Sequence, residues 1–348
     1  DITFNDEWTP ASGVTTLTIG QTYTLPGHTT SAYGVTVTGT IDVNTVGTYD
    51  IVYTYVEDTG LVKRVVRRFV VEFPAYQYPP LGGTTSSVSV YASADTDSTW
   101  TISGANYGNG NYAVSSNVAS NSPNGTTPAG PYGLFDNKID TGVVNGNYSF
   151  WQTGYLITGN ASLLLTLPNF TYITKYIIWP SGGLEPGYTS TTPGSATDPT
   201  LSGNGGEENL RRPKSWYLEG STDNSNWVLL DTVIGNPVSI YGDENIINTP
   251  GIYKYYRLSI TENNGSTEFL QIGELQLFGD IPLTSITFSD GWTAGDGTTT
   301  IYVGDTAPTY SSSETITTIG SVDTSTPGTY EITYFYTDTN NNIRRIIR

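Results

Sequence analysis

Along GTYDIVYTYV, residues 47–56, apolar and polar positions alternate. Tyr49, Ile51, Tyr53 and Tyr55 share one side, and Asp50, Val52 and Thr54 share the other. Successive side chains of a strand point to opposite faces, so this spacing predicts a half-buried sandwich strand with Tyr53 turned inward. Near the other end Tyr330, Ile332, Tyr334 and Tyr336 alternate in the same way, with Tyr334 inward. Turn-forming VGT and PGT precede the two strands.

These strands belong to a longer repeat. ITFNDEW (2–8) recurs as ITFSDGW (286–292), and Gly20 is matched by Gly304. VNTVGTYDIVYTY (43–55) is matched by DTSTPGTYEITYFY (323–336), and LVKRVVR (61–67) by NIRRIIR (342–348). The order of the pieces is kept, so two copies of one all-β module flank a different central segment. The second copy starts with an additional PLTS, and the first runs on into RFVVEFP. Each is clipped where the other is not, and the chain reads as a window cut from a longer protein. Phe69, Val71 and Phe73 alternate toward one face, as in a closing strand. A second copy lacking them is expected to leave a sheet edge and an apolar groove open, which a strand from another chain can close.

Between the copies, PAYQYPPLGG (74–83) reads as a stiff Pro-rich linker. Residues 84–279 then hold many short strands and no helical periodicity. In RRPKSWYLEGSTDNSNWVLLD (211–231) a polar tip, Ser221 to Asn226, separates two alternating runs that each carry a tryptophan. This is a hairpin, and Trp216 and Trp227 are expected to fill a sandwich interior. The expected fold is all-β, with three consecutive β-sandwiches: residues 1–75, a linker at 76–83, a central domain at 84–280, and residues 281–348.

Composition narrows the function. Of 348 residues 36% are hydrophobic and only 13% charged, so Thr, Ser, Asn and Gly cover the surface. No apolar run reaches the roughly 20 residues of a membrane helix. There is no Cys, which removes disulfides, thiolate metal sites and cysteine nucleophiles. The net charge of −18 argues against nucleic acid as a partner. The single histidine, His28, falls in LPGHTTS and is expected in a solvated turn, which leaves no histidine-based triad or zinc site. Five glycosylation sequons occur, at Asn124, Asn147, Asn160, Asn169 and Asn264. The basic residues Lys63, Arg64, Arg67, Arg68, Arg344, Arg345 and Arg348 are expected on a solvated strand edge, or against a neighbouring subunit's acidic surface.

The G-T-Y-x-I-x-Y strand, its polar turn and the final strand of each outer copy resemble bacterial-type immunoglobulin-like surface repeats. In the centre, SWYLEGSTDNSNW, YKYYRLSI (253–260) and GELQLFG (273–279), with the upstream PYGLFDNKIDT, resemble the discoidin-type, galactose-binding-like sandwich of coagulation-factor C domains and carbohydrate-binding modules. That resemblance implies a calcium loop at LFDNKIDT. Asp136 would give a carboxylate, Thr141 its hydroxyl and carbonyl, Phe135 and Lys138 carbonyls, and Glu274 would complete the shell. An Asx-turn that only shapes the loop stays open beside this reading, because Asn137 and Lys138 replace the pattern's Gly and Asn.

Sugar recognition in such modules uses loops at one end of the sandwich, and the candidates are Tyr155, Trp179, Tyr188 and Arg211. The implied protein is a non-enzymatic, extracellular, cell-surface or virion-surface adhesion segment, whose central module binds glycans and whose outer copies act as spacers. The alternative is a structural subunit of a fibre, surface layer or virion appendage, partnered by copies of itself in a homo-polymer.

Overall fold

The computed structural model describes residues 2–31, 33–79, 87–89, 100–103, 111–118, 129–135, 143–144, 147–148, 150–153, 160–181, 210–237, 239, 241–267 and 269–348. The described chain is all-β and divides into two units, Asp1–Pro74 and Ala75–Arg348.

The first unit holds β1 (Ile2–Phe4), β2 (Thr15–Thr18), β3 (His28–Thr30), β4 (Tyr33–Thr38), β5 (Gly47–Val56) and β6 (Val62–Glu72). One sheet runs β2-β6-β5-β4, and β1 pairs with β3. The alternation of β5 sends Ile51, Tyr53 and Tyr55 inward, with Tyr53 fully buried. Phe69 and Val71 of β6 face the same interior. β2 runs parallel to the end of β6, with Thr15 opposite Phe69 and Leu17 opposite Val71.

Two sequence expectations fail inside this unit. His28 lies in a strand instead of a solvated turn, pairing with Phe4 and meeting the Tyr53 ring edge-on at 5.4 Å. Arg67, expected on a solvated edge, is 2% exposed. Its guanidinium lies 5.0–5.7 Å from the rings of Phe4, Trp8 and Phe69 and holds Asp6 through two hydrogen bonds of 3.0 and 2.6 Å. The rings accept the cation on their negative faces, and Asp6 balances its charge. That pairing holds the Asp6 carboxyl below its ordinary range.

The second unit opens with β7 (Tyr76–Tyr78), which pairs with β20 (Glu274–Gly279). Residues 76–78, expected to start a linker, therefore complete a sheet, and Tyr78 is buried in its core. The larger sheet is ordered β16 (Val228–Val233), β15 (Pro213–Ser221), β18 (Ile252–Asn263), β14 (Ala161–Trp179), β10 (Asn111–Ser116), β9 (Trp100–Ser103) and β8 (Ser87–Ser89). β14 spans 19 residues and serves two sheets. Its first half pairs with β10 and β18, and its second half with β17 (Asp243–Ile246) and β20. Pro168, which cannot donate to a ladder, sits where the β18 register shifts. Leu163, Leu165 and Leu167 before the shift, and Ile173, Tyr176 and Ile178 after it, fill the core between the sheets. Two short pairs complete this part: β11 (Val143–Val144) with β12 (Asn147–Tyr148), and β13 (Trp151–Gln152) with β19 (Gln271–Ile272).

The second repeat follows as β21 (Ile281–Pro282), β22 (Ile286–Phe288), β23 (Tyr310–Ser312), β24 (Thr317–Ile319), β25 (Thr333–Thr337) and β26 (Ile343–Ile347). Its sheet runs β21-β26-β25-β24. Tyr334 is buried against Phe288, as Tyr53 is against Phe4. Arg348 repeats the stack of Arg67, 4.7 Å from Phe288 and 5.0 Å from Trp292, and is ion-paired to Asp290. Arg345 is also largely withdrawn from solvent: its Nε meets Asp280 at 2.5 Å, and the two side chains are 11% and 7% exposed.

Candidate functional site

The end of the central sandwich carries the predicted ligand-binding positions that the structure describes. Trp179, last in β14, stands opposite Glu274, first in β20. Directly opposed residues of antiparallel strands share a face with Cβ atoms about 5 Å apart. One register pair thus joins a predicted sugar residue to a predicted calcium ligand. Glu274 is 1% exposed although Leu275 and Leu277 take the core-facing positions of this strand. Trp179 donates from Nε1 to Gln276 Oε1 at 2.9 Å. Gly242 lies across the indole, and a Cβ there would sit 2.7 Å from the ring. Gly273 donates to the Trp179 carbonyl at 2.8 Å, and a Cβ on it would meet the Pro180 oxygen at 2.5 Å. Only glycine lets this backbone approach that of Pro180 and Ser181 so closely.

Phe135 ends the short 3-10 turn Pro131–Phe135, which packs against β20 and β13. Its side chain is fully buried, so only its carbonyl is a candidate ligand. Asp136, Lys138 and Thr141 lie outside the described residues, as do Tyr155 and Tyr188. Arg211 stacks 5.0 Å over Phe269, on a segment pinned by Asn264 N to Arg212 O and Ser266 N to Leu210 O, each 3.0 Å.

Gln152, Thr153, Ser181 and Gln271 are all buried around this end. Leu270 N donates to Thr153 Oγ1 at 3.1 Å, and Gln152 N to Ala129 O at 3.0 Å. Trp151 Nε1, Ser181 Oγ and Gln271 Oε1 have no hydrogen-bond partner among the described residues. Buried polar atoms are normally paired. These three have no accessible surface, so they mark the buried floor of this end and not a face open to a ligand. The predicted calcium set of carboxylate, carbonyl and hydroxyl oxygens has the hard character calcium prefers, and the elements bearing Phe135 and Glu274 touch.

The tryptophan hairpin is scaffold. Trp216 is buried and donates to Tyr176 Oη at 2.8 Å; Tyr176 donates to Asp231 Oδ2 at 2.8 Å, and Asn248 donates to Asp231 Oδ1 at 2.6 Å. Burial pushes the Tyr176 phenol upward. Sequence spacing gave no sign of this chain, because its members come from four separate segments. Trp227 departs from the expected core position: it is half-buried, and Arg257, ion-paired to Glu219, lies 4.1 Å over its ring. At the tip, Asp223 Oδ1 accepts from the amides of Ser225 and Asn226 at 2.8 Å each, and these bonds hold its carboxyl low.

The outer repeats can be compared with known families at this point. Residues 12–71 and 291–348 match the family described as bacterial surface protein, Ig-like domain. No curated protein matches the sequence. Among solved structures the chain is similar to a family 32 carbohydrate-binding module from Clostridium perfringens in complex with GalNAc-β-1,3-galactose. The match has 16% identity and a TM-score of 0.33, and covers 48% of this chain and 95% of that one. It is similar to the family 32 module of Streptococcus pneumoniae EndoD at 15% identity and a TM-score of 0.34, covering 49% and 96%. A C. perfringens NanJ module in complex with galactose follows at 14% and 0.31, covering 48% and 93%. Likenesses at this level do not say what this chain binds.

Proposed function

We propose that this chain is a non-catalytic segment of an extracellular or cell-surface protein, in which the outer Ig-like repeats space a central glycan-binding module. The observation that carries the surface reading is the family match at both ends. The glycan reading is supported by the sequence resemblance of the central segment and by the half-buried Trp179 ring at its loop end, across from Glu274. Polar groups set beside an aromatic ring are what sugar recognition requires. A structural calcium held by Glu274 and the Phe135 carbonyl, with Asp136, Lys138 and Thr141, fits the same loop end.

A glycan array probed with the chain tests this. Binding is expected to at least one glycan, to fall with Trp179→Ala or Arg211→Ala, and to persist when Trp227, remote from this end, is changed. Melting curves separate a lost contact from lost folding. An array without signal at concentrations that detect weak lectins overturns the glycan reading.

A further inference from the structure

The sheet that the second half of β14 forms with β17 and β20 turns one face to the core and the other outward. Tyr176 and Ile178 are buried in the core, so Lys175, Ile177 and Trp179 stand on the outer face. On β17 the outer positions are Glu244, opposite Ile177, and Ile246, opposite Lys175. Gly242, one residue before that strand, comes level with Trp179.

A Cβ on Gly242 would lie 2.7 Å from Trp179 Cε2 and 2.8 Å from Cδ2. These two atoms are shared by both rings of the indole, and an approach in the ring plane would meet an edge atom first. The indole therefore lies flat over Gly242 and turns its other face away from the sheet. Its Nε1 donates to Gln276 Oε1 at 2.9 Å, which holds it there. From Trp179 to Lys175 the row runs four residues, or about 13 Å at the rise of a strand. Ile246, at the far end, is 64% exposed. Between the ends Lys175 and Glu244 pair at 2.9 Å, with their side chains 29% and 51% exposed.

We propose that this row is a platform for a neutral, linear glycan, which it binds by the flat faces of internal sugar units and not by a chain end. This ligand class rests on the glycan reading above and belongs to the same Trp179 site. An indole lying on a sheet covers one side of a sugar ring and leaves both of its linkages free, so the chain can continue along the row. In a β-1,4-linked chain of equatorially linked pyranoses each unit presents a face of axial C–H groups. Such faces match the indole at one end and Ile246 at the other, while Lys175 and Glu244 bond hydroxyls between them. The net charge of −18 and the exposed Glu244 carboxylate repel uronic and sialic acid units.

The test titrates the chain calorimetrically with the β-1,4-linked hexamers of glucose and of N-acetylglucosamine, and with the corresponding dimers. At least one hexamer is expected to bind about tenfold or more tightly than its dimer, a step of about 1.4 kcal/mol. Trp179→Ala should abolish that binding. Ile246→Ser, at an exposed position that folding tolerates, should weaken the hexamer about threefold or more through lost apolar contact. Melting curves check that both variants fold. Absence of binding by both hexamers, a dimer as tight as its hexamer, or an Ile246→Ser chain that binds unaltered overturns the platform. If the glycan array then still shows binding, the glycan reading stands and the platform alone falls. An array without signal removes both.

Discussion

Tyr53 shows how a single side chain divides its contributions. Its ring is fully buried between Phe4 and His28, while its hydroxyl is buried without a hydrogen-bond partner among the described residues. Removing the ring leaves a cavity, so Tyr53→Ala should cost about 3–5 kcal/mol. Removing only the hydroxyl abolishes a desolvation penalty, so Tyr53→Phe should be neutral or stabilising by up to about 1 kcal/mol. Denaturant midpoints decide both, and a clearly destabilised Phe variant would mean that the hydroxyl has a partner. Asp280 gives the pH counterpart. Burial lifts its pKa from 3.8 to about 6, although Arg345 at 2.5 Å pulls the other way. Between these values the folded state holds a proton that the unfolded chain has released, so stability falls as pH rises from about 4 to about 6. The melting temperature of residues 75–348 should drop across that window more in the wild type than in Asp280→Asn. Parallel curves would rule the effect out.

At the scale of elements, strands were legible wherever one face is buried and the other wet. β5 and the hairpin of β15 and β16 follow the period-two reading because side-chain alternation is all that such a strand needs. Arg67 and Arg348 were misread for a physical reason: a cation reads as surface unless its aromatic cage is known, and the cages come from Phe4 and Trp8 for Arg67 and from Phe288 and Trp292 for Arg348, far away in sequence. β7 was hidden by the prolines that flank it, Pro74, Pro79 and Pro80, and Trp227 by symmetry with Trp216. The candidate site was legible only as residue types. The register placing Trp179 opposite Glu274 arises from pairing across 95 residues of chain, between positions 179 and 274, which local spacing does not encode. Glycine carries a prediction here. Gly39, at φ +100, would set a Cβ 2.2 Å from the Asp50 carbonyl, and Gly320 repeats this against Glu331 at 2.3 Å. Gly39→Ala and Gly320→Ala should each cost at least about 1–3 kcal/mol through backbone strain, measured by chemical denaturation. Gly60→Ala, where no atom lies within 4 Å, separates the strain of positive φ from the clash.

For the whole molecule, each unit buries its own core, so residues 75–348 should fold without residues 1–74 and calorimetry of the chain should show separable transitions. With a calcium ion held at the loop end that carries Phe135 and Glu274, chelation should lower the transition of residues 75–348 alone, by an amount that grows with the logarithm of the calcium concentration it replaces. Identical traces with and without chelator would remove the ion. The parallel pairing of β2 with β6 has a mechanical meaning for a spacer. These strands lie near opposite ends of the first repeat and point the same way. Tension applied through the chain therefore drags them past each other and loads their four register pairs together, Thr15 with Phe69 through Thr18 with Glu72. In the second repeat Ile281 beside Arg344 and Pro282 beside Arg345 also run parallel. Yielding under load is set by the rate of unfolding rather than by equilibrium stability. In a single-molecule stretching trace the first repeat should therefore give way in one step, at a discrete rupture force.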